Sequence, residues 1–186
     1  NYQDEPSKYS SMAALNRYIQ LHPTSQTINY AAYENNTSIL VNGIISVTAN
    51  TATSGSLGSL TQGTIVESTK PIFLRYNGKG VNVPNMAALG TWYGFDYNRG
   101  TNPSFYIYSP YGPTTIYAKK NSSDFTTPDY IWAIPNSVIT TKTMTAITDY
   151  GQWRFKSNLP VIILFWTDSA EDENFFIPMS REILWA

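Results

Sequence analysis

Residues 72–83 read Ile72-Phe73-Leu74-Arg75-Tyr76-Asn77-Gly78-Lys79-Gly80-Val81-Asn82-Val83. Apolar and polar side chains alternate up to the Asn-Gly pair, and the pattern returns after it. Asn and Gly both tolerate positive φ, so Asn-Gly between β-rich flanks is a strong hairpin signal. Period two continues on both sides of this stretch. Upstream, Ile28, Tyr30 and Ala32 alternate with polar residues, and Ile39 to Val47 is a β-branched run interrupted by Gly43. Downstream, 105–108, 114–118, 130–134, 138–147, 152–156, 161–166 and 175–177 read as strands. Pro110, Pro113, Pro128, Pro135 and Pro160 punctuate them, since proline cannot serve a central ladder. About ten short strands with frequent turns predict a mainly β fold, an antiparallel sheet or sandwich.

Two helical signals frame this pattern. Ser10 or Ser11 can cap a short helix with Met12, Leu15 and Ile19 on one face, stopped by Pro23. A last helical turn is expected from Ser180, carrying Ile183, Leu184 and Trp185. Residues 1–9 read as an extended lead-in. Residues 50–63 (NTATSGSLGSLTQG), small, polar and glycine-containing, read as a mobile hairpin connection. A chain of 186 residues with no convincing linker suggests one domain, 1–186, and no internal repeat is visible.

Charge narrows the function classes. Only 13% of residues are charged and the net charge is -1, while aromatics reach 15% and tyrosines number 14. No basic stripe exists to neutralise phosphates, so neither nucleic acid nor an anionic membrane is an expected partner. Cysteine is absent. The longest apolar run, Val161 to Trp166, is far shorter than the ~20 residues a membrane helix needs. No signal peptide opens the chain, which reads as an excised soluble domain.

Little in the sequence points to catalysis. His22 is the sole histidine and no cysteine joins it, so neither a zinc site nor a histidine-based triad is expected. No Walker loop, dinucleotide fingerprint or nucleophile elbow occurs. Glycoside hydrolysis needs two carboxylates, and Glu67, Asp96, Asp124 and Asp129 could supply them, which keeps a small glycosidase as an alternative. The acidic run Asp168, Glu171, Asp172 and Glu173 lacks the ligand spacing of a calcium loop and reads as solvated. Neither cofactor nor metal is expected. Asn35, Asn36 and Asn121 begin N-x-Ser/Thr sequons.

One segment suits recognition. Trp92, Tyr93, Asp96, Tyr97, Asn98 and Arg99 combine ring faces with hydrogen-bonding groups in a glycine-containing, loop-like context. Sugar C–H faces pack on aromatic planes, and sugar hydroxyls need fixed donors and acceptors. These six residues form the expected glycan-binding site, with Arg99 able to hold a carboxylate. For Phe105, Ile107, Trp132 and Ile134, sheet core is the expectation.

Four short segments carry a family resemblance. Asn174-Phe175-Phe176-Ile177-Pro178-Met179-Ser180-Arg181-Glu182, Gly151-Gln152-Trp153-Arg154-Phe155, and Tyr111-Gly112-Pro113-Thr114-Thr115 with Asp129-Tyr130-Ile131-Trp132 resemble elements of the rotavirus spike protein's receptor-binding head. The order differs from the group A pattern, so the resemblance is to a divergent member such as a group B spike, and a galectin-like topology does not follow. What it implies is a non-enzymatic viral attachment domain for host cell-surface glycans, made in the host cytoplasm and displayed on the virion outer capsid. The isolated domain would be monomeric and the virion multivalent. Fibre knobs and bacterial adhesin-type lectins remain alternatives.

Overall fold

The computed structural model describes residues 16–78, 82–97, 104–144, 151–166 and 174–175. Length pointed to one domain; contacts within the chain gather into two compact units, Asn1–Ala87 and Ala88–Ala186. Both are built from antiparallel strands in sandwich-like layers, as the period-two pattern predicts.

Unit 1 contains β1 (Asn16–Ile19), β2 (Gln26–Ala32), β3 (Thr37–Val41), β4 (Ile44–Ala49), β5 (Thr53–Leu60), β6 (Ile65–Ser68) and β7 (Ile72–Tyr76). One sheet has the order β1-β6-β3-β4 and the other β5-β2-β7. The opening stretch behaves as it reads: Ile72, Leu74 and Tyr76 are buried while Phe73 and Arg75 face outward. Gly78 turns the chain with φ 70°, and Asn82 then bridges back to Arg75. Asn42 (φ 49°) and Gly43 (φ 81°) form a two-residue turn joining β3 to β4. On β4, Ile44 and Ile45 stay 75% and 62% exposed.

Two expectations fail in unit 1. Residues 16–19 form β1 rather than the end of a helix, while the capping serines, like the expected C-terminal turn, lie outside the described residues. The backbone of β1 pairs along β6, and Arg17 meets Glu67 at 2.8 Å, so sheet pairing overrides the helical spacing. Residues 53–60 are likewise strand β5, not a loop. Gly55 lies under the Tyr30 ring, where a Cβ would meet the Tyr30 hydroxyl oxygen at 2.8 Å.

After a 3-10 turn (Met86–Ala88) at the boundary, unit 2 contains β8 (Gly90–Tyr97), β9 (Ser104–Tyr108), β10 (Thr114–Lys120), β11 (Tyr130–Ile134), β12 (Thr140–Thr143), β13 (Gly151–Trp166) and β14 (Asn174–Phe175). β13 belongs to both layers. Its first half lies between β8 and β10, its second half between β9 and β14. The change occurs at an irregularity between Lys156 and Val161, where Pro160 has no ladder bond to give. Phe105, Ile107, Ile116, Trp132, Trp153, Phe155 and Ile163 fill the core, so the sheet-core reading of Phe105, Ile107, Trp132 and Ile134 holds.

Candidate recognition surface

The segment read as a loop around Trp92 is strand β8 up to Tyr97. Alternation along a strand sends neighbours to opposite faces, so the expected site is divided. Tyr93 is 1% exposed and donates its hydroxyl to the Val161 carbonyl. Burial pushes its phenol well above the usual tyrosine range. Phe95 stacks on Phe155 with centroids 5.4 Å apart and planes 16° from parallel. Tyr93 is therefore core, and the partly buried Phe95 packs against that core. Asp96 and Tyr97 pair by backbone with Gln152 and Gly151, while Asn98 and Arg99 lie outside the described residues.

Trp92 takes the opposite face. Its cross-strand partner is Lys156, whose Nζ sits 5.4 Å from the ring centroid. Phe125 meets the same ring in a T-shaped contact, with centroids 5.5 Å apart and planes at 77°. Tyr117 lies beside Lys156 on β10, and Ile131, 62% exposed, lies beside Tyr117 on β11. Trp92, Lys156, Tyr117 and Ile131 thus form one row across the sheet. Two residues further along β10 and β11, Thr115 and Ala133 line a shallow depression of about 380 Å³ with Pro113, Pro135 and Asn158.

Phe125 reaches Trp92 because its loop is built, not slack. Asp124 Oδ1 accepts from the Thr126 amide at 2.9 Å, which also holds the Asp124 carboxyl below its usual range. Asp129 Oδ2 accepts from the Lys120 amide at 2.8 Å, and Lys119 Nζ donates to the Thr127 carbonyl at 2.6 Å. Asn121 accepts from the Gln152 amide and donates its own amide back to the Gln152 carbonyl. Glu67, Asp124 and Asp129, three of the four carboxylates considered for hydrolysis, are thereby engaged in holding structure.

Composition pointed to Trp92 but missed Phe125, Lys156 and Tyr117, which lie far away in sequence. A sequence signal for Phe125 did exist. Ser122-Ser123-Asp124-Phe125-Thr126-Thr127-Pro128 has the residues of side-chain-closed turns, with one large apolar residue among them. His22, the sole histidine, is 2% exposed. Its Nδ1 lies 3.2 Å from the Thr24 amide and 3.1 Å from Gln26 Nε2, inside a polar network with Gln20. Among the described residues, no cluster of three or more His, Cys, Asp or Glu side chains could hold a metal ion.

No family model matches the chain, and no curated protein does. Among solved structures, an anti-sigma factor domain-containing protein aligns over 88% of this chain and 81% of its own, at 7% identity and a TM-score of 0.28. A score that low bears on neither fold nor function.

Proposed function

We propose that unit 2 binds carbohydrate without catalysis, through the row of Trp92, Lys156 and Tyr117. The observation that carries this reading is the placement of Trp92. The core of the same unit holds Trp132, Trp153, Phe105 and Phe155, yet Trp92 is kept outside it, held by contacts with the Lys156 ammonium and the Phe125 ring. A fixed flat ring with polar neighbours suits a sugar C–H face flanked by hydroxyls. The row and the nearby depression offer length for more than one sugar unit.

The setting we propose is attachment to host cell-surface glycans by a viral surface module. It is supported by the resemblance to the spike head carried by residues 111–115, 129–132, 151–155 and 174–182. Small polar ligands bury little apolar area, so single-site affinity is weak and multivalent display raises avidity.

An array of neutral and sialylated oligosaccharides tests the proposal. The wild-type chain is expected to bind at least one of them, and Trp92→Ala to lose about tenfold or more in affinity with unchanged circular dichroism. A blank array with folded protein, or wild-type affinity in Trp92→Ala, would sink it.

A further inference from the structure

The two units, read separately, turn out to have one topology. In unit 1 the orders are β1-β6-β3-β4 and β5-β2-β7; in unit 2, with β13 taken as two halves, they are β8-β13-β10-β11 and β12-β9-β13. The registers agree as well as the orders. Tyr30 faces Leu74 and Gly55 in unit 1, as Ile107 faces Ile163 and Thr140 in unit 2. Ile39 faces Ser68 and Val47, as Ile116 faces Ser157 and Trp132. Residues 28–41 then align with 105–118, and 68–76 with 157–165, without a gap.

Specific side-chain bonds repeat at the aligned positions. Tyr18 faces Val66 and donates its hydroxyl to the Ile72 carbonyl; Tyr93 faces Phe155 and donates to the Val161 carbonyl. Ser68 Oγ donates to the Lys70 carbonyl at 2.7 Å, and Ser157 Oγ to the Leu159 carbonyl at 2.7 Å. Pro71 and Pro160 follow at the same step. Beyond the aligned ladder a further pair recurs: Asn42 (φ 49°) exchanges two hydrogen bonds with Ile65, and Asn121 (φ 53°), displaced by two residues, exchanges the same two with Gln152. A shared topology alone could be convergence; shared register with shared bonds is a duplication.

The copies differ where the candidate surface lies. The positions of Trp92 and Lys156 are held in unit 1 by Arg17 and Glu67, joined as an ion pair at 2.8 Å. Val41 pairs with Ile44 across Asn42-Gly43, while the equivalent Ala118 and Tyr130 pair across residues 119–129. That insertion supplies Phe125.

From these correspondences we infer that the chain is one seven-stranded module in two copies, and that residues 119–129 are an insertion that confers ligand specificity on the second copy. This rests on the carbohydrate reading above. The first copy supplies the control, because it shows how the scaffold closes without the insertion.

The test replaces residues 119–129 of the full chain by Asn-Gly, reproducing the turn between Val41 and Ile44, and measures binding on the same oligosaccharide array. The expected result is a folded protein whose affinity falls about tenfold or more, with Phe125→Ala lowering it in the same direction. Should the replacement misfold, Phe125→Ala alone decides: a loss supports the inference and wild-type affinity overturns it. A folded replacement that binds as wild type overturns the inference while Trp92→Ala still loses binding, so the carbohydrate reading survives. Absence of binding by the wild-type chain itself removes both.

Discussion

Tyr18 and Tyr93 show what one position asks of a side chain. Each must fill core volume beside a facing strand and still place a donor on a carbonyl of the other sheet. Phenylalanine fills the volume and lacks the donor. Burial pushes both phenols above their ordinary range, Tyr18 partly offset by its bond to Ile72. A folded-state pKa above the unfolded value means that this stabilisation is complete below about pH 10 and is lost as pH rises further. The urea midpoint should therefore fall between about pH 9 and about pH 11, and fall less in a Tyr18→Phe, Tyr93→Phe double variant. Equal losses in both proteins would refute the assignment. Sequence could not separate Tyr93 from Trp92, since adjacent aromatics look alike until a partner strand says which face is inside. It could place the hairpin at Asn77-Gly78, because that signal is local to two residues.

At the scale of elements, the legible strands were those whose alternation is carried by large side chains, such as β7, β10 and β11. β5 was illegible for the opposite reason. Thr53, Ser54, Gly55 and Ser56 contribute little side chain, and their backbone is ordered by pairing with β2. Gly55 is required there by contact, not by its own φ, because Tyr30 occupies the place of a side chain. Gly55→Ala should cost about 1–3 kcal/mol as the Tyr30 ring is displaced. Thermal unfolding would measure it, and a neutral effect would mean that the ring moves freely. β1 misled for a related reason. Its helical spacing was real, but β6 offered a complete ladder. The loop 119–129 was visible as turn chemistry around Asp124, while its purpose depended on Trp92, a neighbour only in space.

On the scale of the whole molecule, the duplication explains why no repeat could be read. Aligned core positions exchange Tyr for Ile, Leu for Ile and Tyr for Phe, so a packing role persists while residue identity drifts. Two modules with their own cores should melt in two steps. Tyr18→Phe should then lower one transition and Tyr93→Phe the other, each by about 1 kcal/mol, or several degrees. Calorimetry of the full chain checks this, and a single transition shifted by both variants would contradict it. The modules differ in one further respect. In the first, Thr69, Lys70 and Pro71 separate β6 from β7; in the second, β13 runs unbroken from one layer into the other. A pull on the chain acts along such strands. Where the strand is interrupted, one layer can peel away and leave the other intact. Where it is continuous, the load is shared by both layers, and the copy that carries the Trp92 surface is the one built to yield last.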